Sequence, residues 1–301
     1  METPILKLFK QSSHPSWVRL MRPHQWVKNL FLFIAPFFAG VLFHSETFKE
    51  LIVGFFAFSF AASAVYIFND IKDVKNDLLH PSKKHRPIAS GAITIPIAYF
   101  LIALLLSISV LLSFYVDKEL LIIILIYLSI NLCYSLGLKN IAILDIMIIS
   151  TGFILRTLSG GLIANVPVSK WLILMIFLLA LFLAMAKRLD DLLIEKNTGL
   201  ISRKNIEKYN IPYITSGITM LAGIIIVCYI MYSISDEVMG RKHSDDIYLT
   251  SIFVIAGILR YLQIILVENK GWSPTRILFK DKFIIITILL WALSYFFIIY
   301  F

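Results

Sequence analysis

Three aspartates, Asp70, Asp73 and Asp77, recur at i, i+3 and i+7 within the stretch NDIKDVKND. If the chain is helical there, all three project from one face, about a turn apart, with Asn69 beside the first. Like charges at this spacing repel and weaken a helix unless a cation sits among them. Such a face reads as a hard-cation site. Mg²⁺ suits it, because that ion binds one or two carboxylates and fills its remaining positions with waters and phosphate oxygens. The competing reading is a solvated helix end whose acids pair with Lys72 and Lys75, but those lysines fall on other faces of the helix.

The next segment, HPSKKHRPIASG (80–91), brings Lys83, Lys84 and Arg86 to the same mouth, with Pro81 and Pro87 stopping helix continuation. Basic groups beside a metal are what a diphosphate ligand requires, metal on some oxygens and cations on the rest. Taken alone, the run is also ordinary loop charge at a membrane surface. A second constellation, AMAKRLDDLLIE (184–195), places Lys187, Asp191 and Glu195 on one helical face at four-residue intervals, with Arg188 and Asp190 adjacent. No G-x-x-x-x-G-K-[ST], H-E-x-x-H or G-x-S-x-G motif occurs, and His24, His80 and His85 read as interfacial side chains.

The elements that position these residues are membrane helices. Of 301 residues, 59% are hydrophobic and only 16% charged, which excludes an ordinary soluble domain. Apolar runs long enough to cross about 30 Å of hydrocarbon number about nine. They lie near 26–43, 51–69, 93–116, 119–137, 141–164, 169–187, 212–235, 247–267 and 282–301, two pairs being joined by the short turns VDKE and GLKN. The expected fold is therefore an all-α membrane protein, a single integral membrane domain over 1–301. Residues 1–25 form a cytoplasmic or interfacial segment whose stretch from Ile5 to Trp26 suits a helix lying on an anionic leaflet. No removable signal peptide is read, and Cys133 and Cys228 are expected to be inert buried thiols.

Basic residues sort the loops by side. With the N-terminus inside, one face collects Lys7, Lys10, Arg19, Arg22 and Lys28, then Lys72, Lys75, Lys83, Lys84 and Arg86, then Lys139. It also takes Lys187, Arg188, Lys196, Arg203, Lys204 and Lys208, and Lys270, Arg276, Lys280 and Lys282. The other face takes Lys49, Lys118, Lys170, Arg241 and Lys242. Asp145, Arg156 and Arg260 fall inside predicted spans, where an unpaired charge costs several kcal/mol. Asp145 and Arg156 share a face but stand about 16 Å apart along a helix, too far to pair.

NDIKDVKND resembles the N-D-x-x-D-x-x-x-D signature of the UbiA-type intramembrane prenyltransferase superfamily. The segments RPHQWVKN (22–29), HPSKKHRPIASG, YSLGLK (134–139), GFILRTLSGG (152–161) and AKRLDDL (186–192) are similar to its phosphoribosyl-transferring branch. The resemblance implies nine helices around a central cavity open to the cytoplasmic side of a bacterial plasma membrane. It also implies Mg²⁺-dependent transfer of 5-phosphoribosyl from phosphoribosyl diphosphate (PRPP) to a polyprenyl phosphate for cell-envelope glycan synthesis. Asp70, Asp73, Asp77 and Asn69 would hold the metal. Lys28, Lys83, Arg86, Tyr134, Lys139, Arg156, Lys187, Arg188 and Asp191 are then candidates for donor and lipid phosphate contacts. RLDDLLIE resembles the second, metal-binding acidic motif of the superfamily's aromatic prenyltransferases, the alternative activity, and a homotrimer is implied by resemblance alone. A transporter fits less well, because the charge gathers at one mouth and no internal repeat is evident; no nucleic-acid partner is expected.

Overall fold

A computed structural model describes residues 15–79, 83–199, 205–235, 238, 246–268, 277, 278 and 280–300. The part of the expected leaflet helix before residue 15, the side chain of His80, and the loop charges Arg203, Lys204, Arg241, Lys242, Lys270 and Arg276 lie outside the described residues. Among the described residues the secondary structure is helical: α1 (Ser16–Met21), a 3-10 helix (Pro23–Phe33), α2 (Ile34–Phe38), α3 (Ser45–Leu79), α4 (Ile95–Val116), α5 (Lys118–Leu136), α6 (Leu144–Ile163), α7 (Lys170–Thr198), α8 (Ile211–Ser233), α9 (Ser251–Leu266) and α10 (Lys282–Tyr300). Among the described residues eight helices are long and apolar enough to cross a membrane.

The expected span 26–43 is the exception, and its own sequence explains why. Pro36 has no N–H to give the carbonyl of Leu32, four residues back, so a regular helix cannot run through. The chain takes the tighter 3-10 form up to Phe33 and only then turns α-helical. At about 2.0 Å per residue for the 3-10 part and 1.5 Å for the α part, this stretch still covers roughly 30 Å. The Leu32 carbonyl presses on α6 at Gly160, where a Cβ would overlap it, and a Cβ at Gly161 would strike Val168. The glycine pair of GFILRTLSGG is thus a packing device. Gly160→Ala is expected to cost about 1–3 kcal/mol or more through overpacking, read as a lower thermal midpoint of the detergent-purified protein. Gly223→Ala, with nothing within 4 Å of the added carbon, should lose nothing.

The chain divides into two compact units. One comprises residues up to Leu30 together with Ile52–Leu128; the other comprises Phe31–Leu51 and Ser129 onward. In the first, the Ser109 hydroxyl on α4 donates to the Ala57 carbonyl of α3 (2.8 Å), and Phe58 of α3 packs edge-on against Tyr127 of α5. The Asp117 side chain accepts from the Glu119 amide (2.6 Å) and so makes the VDKE turn between α4 and α5. In the second unit α7 packs between α6 and α8, and α9 between α8 and α10. Asn210 caps α8 by accepting from the Tyr213 amide (2.8 Å), with Pro212 in the first turn.

Arg260, expected inside a span, is satisfied at the end of α9. It donates to Asp281 (2.7 Å), Glu268 (2.7 Å) and Gln263 (2.8 Å), and its bond to Asp281 holds that carboxyl below its usual range. The most apolar helix, α4, is among the least buried, as a lipid-facing helix should be. The most buried, α3 and α7, are the two that carry the acidic constellations. With 35 and 29 residues, they rise about 52 and 43 Å, beyond the hydrocarbon depth. Both are therefore longer than the apolar layer is deep.

Candidate functional site

α3 continues as one helix past Phe68 to Leu79, so Asp70, Asp73 and Asp77 do share a face. Asp70 and Asp77 are buried, and Asp73 and Asn69 are half-buried. Two arginines pair with the buried members of this face. Arg22 Nη2 lies 2.5 Å and Arg86 Nη1 3.0 Å from the same oxygen, Oδ1 of Asp70, and Arg86 Nη1 also donates to Oδ2 of Asp77 at 2.7 Å.

Both arginines are placed by their own segments. Downstream of Arg22, Trp26 Nε1 donates to the Ser63 hydroxyl (3.0 Å) and Asn29 Nδ2 to the Ser59 hydroxyl (2.9 Å). These serines stand one turn apart on α3, in line with the aspartate face. Arg22 itself ends α1 in the left-handed region, φ 54°, a conformation costing an arginine about 1–2 kcal/mol. Arg86 follows a 3-10 turn, Lys83–His85, and its amide donates to the Lys83 carbonyl (2.9 Å). Arg19 ties this loop to α1 by donating to the His85 carbonyl (3.0 Å).

An ionised carboxylate offers about four acceptor sites, so two arginine bonds do not saturate Asp70. Among the described residues no three His, Cys, Asp or Glu side chains are gathered into a ready-made metal cage. By the helix rise the aspartates step about 4.5 and 6 Å along the axis. That geometry leaves one or two carboxylates per ion, and the donors are all hard oxygens, which fits Mg²⁺ held jointly by protein and a phosphorylated ligand.

In the second unit a different cluster forms. Arg188, 1% exposed, donates through Nε to Asp145 Oδ2 (3.0 Å) and through Nη1 to Asp191 Oδ2 (2.7 Å). The Tyr209 hydroxyl donates to Asp145 Oδ1 (3.0 Å) and accepts from the Ile143 amide (2.6 Å). Burial pushes the Tyr209 phenol up to about 12, so it keeps its proton at neutral pH and serves Asp145 as a donor. Ile143, just before α6, has φ 69°, strained for a β-branched residue. The intramembrane Asp145 thus finds its partner in Arg188, 43 residues on. Arg188 is placed as a buried cross-link between α6 and α7, with Asp191 as its second acid.

Lys187 is half-buried one residue earlier, and Glu195 lines an open cleft of about 390 Å³ with Glu207, Tyr209 and Asn210. Asp190 Oδ1 and the Tyr261 hydroxyl are buried with no hydrogen-bond partner among the described residues. Arg156, buried on α6, donates to the Gly152 carbonyl (2.6 Å) and lies over the Phe153 ring. Tyr134 near the end of α5, Lys139 in the following 3-10 turn, Lys28 in the first 3-10 helix and Lys83 are half-buried. Arg22 and Tyr209 are the additions to the sequence-derived set. Arg22 opens the RPHQWVKN motif, a signal that charge counting by side had absorbed, whereas nothing local marks Tyr209.

Residues 30–266 match the UbiA prenyltransferase family. The chain is 34% identical over 284 residues to the decaprenyl-phosphate phosphoribosyltransferase of Mycolicibacterium smegmatis, covering 91% of this chain and 89% of that one. It is 34% identical to the enzyme of the same name from Corynebacterium glutamicum, covering 91% and 84%. Among solved structures, a UbiA homolog from Archaeoglobus fulgidus bound to DMAPP and Mg²⁺ superposes with a TM-score of 0.70 at 19% identity, covering 94% of this chain and 100% of that one.

Proposed function

We infer that this chain, which belongs to the UbiA prenyltransferase family, is a multi-pass membrane transferase that moves 5-phosphoribosyl from PRPP to a polyprenyl phosphate and releases diphosphate. The observation that carries this reading is the end of α3, where oxygen ligands for a hard cation and two guanidiniums stand together at Asp70, Asp77, Arg22 and Arg86. The names borne by the relatives at 34% identity support the phosphoribosyl donor over a prenyl diphosphate.

Asp70, Asp73 and Asp77 with Asn69 would hold Mg²⁺, which when bound supplies positive charge to diphosphate oxygens. The chain's own cations do the rest. Arg22, Arg86 and Lys83 hold the donor's diphosphate, with Lys28 of the same unit as a further cation for the donor's phosphates. In the transfer, an oxygen of the lipid phosphate bonds to the anomeric carbon while the bond to diphosphate breaks, and its electron pair leaves with diphosphate. The nucleophile is already an anion at neutral pH, so no general base is needed; fixed positive charge on the leaving group lowers the barrier. Because PRPP is water-soluble and the acceptor tail is lipid, the site lies at the cytosolic face of a bacterial plasma membrane, the face on which the basic loops gather. The product is suited to supply pentose units for envelope glycans.

The test is incubation of membranes containing the protein with labelled PRPP, polyprenyl phosphate and Mg²⁺. A labelled, lipid-extractable product that disappears on chelation is expected. Absence of that product, with prenylation of 4-hydroxybenzoate from a prenyl diphosphate instead, would overturn the reading.

A further inference from the structure

We propose that Arg22 and Arg86 are exchangeable counter-ions of the aspartate face, bound to Asp70 and Asp77 when no donor is present and moving onto the donor's diphosphate when metal and donor bind. This rests on the assignment of α3 to the donor diphosphate. It goes further in making the two arginines competitors of the metal.

Three features of the contacts support the exchange. First, the pairing is not the fork-on-fork geometry in which arginine binds carboxylate most strongly. Each arginine engages the acids through a single Nη, and Arg86 divides that nitrogen between two carboxylates. The Arg22 guanidinium also lies over the Tyr66 ring, 5.4 Å from its centre. Second, the arginines are 21% and 28% exposed, while the aspartates they hold are 2% and 4% exposed. The cations are therefore the accessible and displaceable partners, and a planar guanidinium fork is matched to phosphate oxygens. Third, the position of Arg22 is imposed against its own backbone preference. It is left-handed and followed by a segment pinned to α3 through Ser59 and Ser63. Strain of that kind persists where surrounding structure enforces it, and it concentrates at ligand clamps.

Competition has a consequence that a purely structural ion pair lacks. Removing Arg22 frees acceptor capacity on Asp70 for a metal but removes a diphosphate ligand, so the affinities for metal alone and for donor move in opposite directions.

The experiment uses the full-length protein in detergent with Mn²⁺ as the probe, free Mn²⁺ being read by its electron paramagnetic resonance signal, with and without PRPP. In Arg22→Gln, Mn²⁺ affinity without PRPP is expected to rise about tenfold, and PRPP affinity at saturating Mn²⁺ to fall tenfold or more. Arg86→Gln, which leaves the Arg22 backbone untouched, carries the same two expectations should Arg22→Gln fail to fold. Unchanged or weaker Mn²⁺ binding without PRPP, or unchanged PRPP binding, overturns the exchange while leaving the transferase reading standing. No Mn²⁺ binding by the wild type, with or without PRPP, removes the metal site from α3 and the exchange with it.

Discussion

Asp73→Ala is expected to lower phosphoribosyl transfer by on the order of 10³-fold while leaving the thermal midpoint near that of the wild type. Asp73 is the discriminating choice among the three aspartates. Asp70 and Asp77 are buried and hold arginines, so their removal strands guanidiniums in partly buried positions and mixes a folding defect with a chemical one. Asp73 lies between them on the same face and is half-buried, so its truncation disturbs packing less. If the aspartate face serves only to anchor Arg22 and Arg86, Asp73→Ala keeps full activity, and Asp73 leaves the site. If it serves a metal shared with the donor, activity falls and the Mg²⁺ concentration needed for half-maximal rate rises. That second measurement separates loss of a metal ligand from any general weakening of the helix end.

The acidic face of α3 was legible in the sequence because its information is local. The i, i+3, i+7 spacing implies one face wherever the backbone is helical, and the helix does run to Leu79. What balances that face was not legible. Arg22 and Arg86 are 48 and 16 residues away from Asp70 in sequence, and in a membrane protein their charge is already explained by the side on which their loops lie. The same asymmetry holds for Asp145. An aspartate within an apolar run announces that it must have a partner, and the pattern says nothing of which one. Arg188 is supplied by the packing of α6 on α7, and Tyr209 by a connecting segment that folds back to the start of α6. Hydropathy also overcalled a regular helix over 26–43, since it is blind to the missing Pro36 amide, and it is equally blind to the close approach that Gly160 permits.

Those long-range contacts make Arg188 the residue where the sequence-derived role and the observed environment diverge most. Arg188→Met keeps the apolar bulk of the side chain and removes the charge, leaving Asp145, which is 0% exposed, with the Tyr209 hydroxyl as its remaining named donor. Removing one partner from a buried ion pair costs about 3–5 kcal/mol, because the other charge stays desolvated and uncompensated. A drop of roughly 10 °C in the thermal midpoint is therefore expected. Tyr209→Phe is expected to show a smaller loss, about 1–3 kcal/mol, since it leaves the Ile143 amide and one oxygen of Asp145 unpaired without stranding a charge. Because burial raises the Tyr209 phenol from 10.0 to about 12, the stability it contributes is whole below pH 10 and fades as pH rises through about 12. If Arg188 instead grips a substrate phosphate, Arg188→Met leaves the midpoint unchanged and raises the KM for PRPP. The double variant Arg188→Met/Asp145→Leu decides between the two. With both charges gone the cost of stranding Asp145 disappears and only that of Asp191, the second acid on Arg188, remains, so stability recovers part of the way toward the wild type if the pair is a cross-link, whereas a phosphate ligand, once lost, is not restored by removing Asp145.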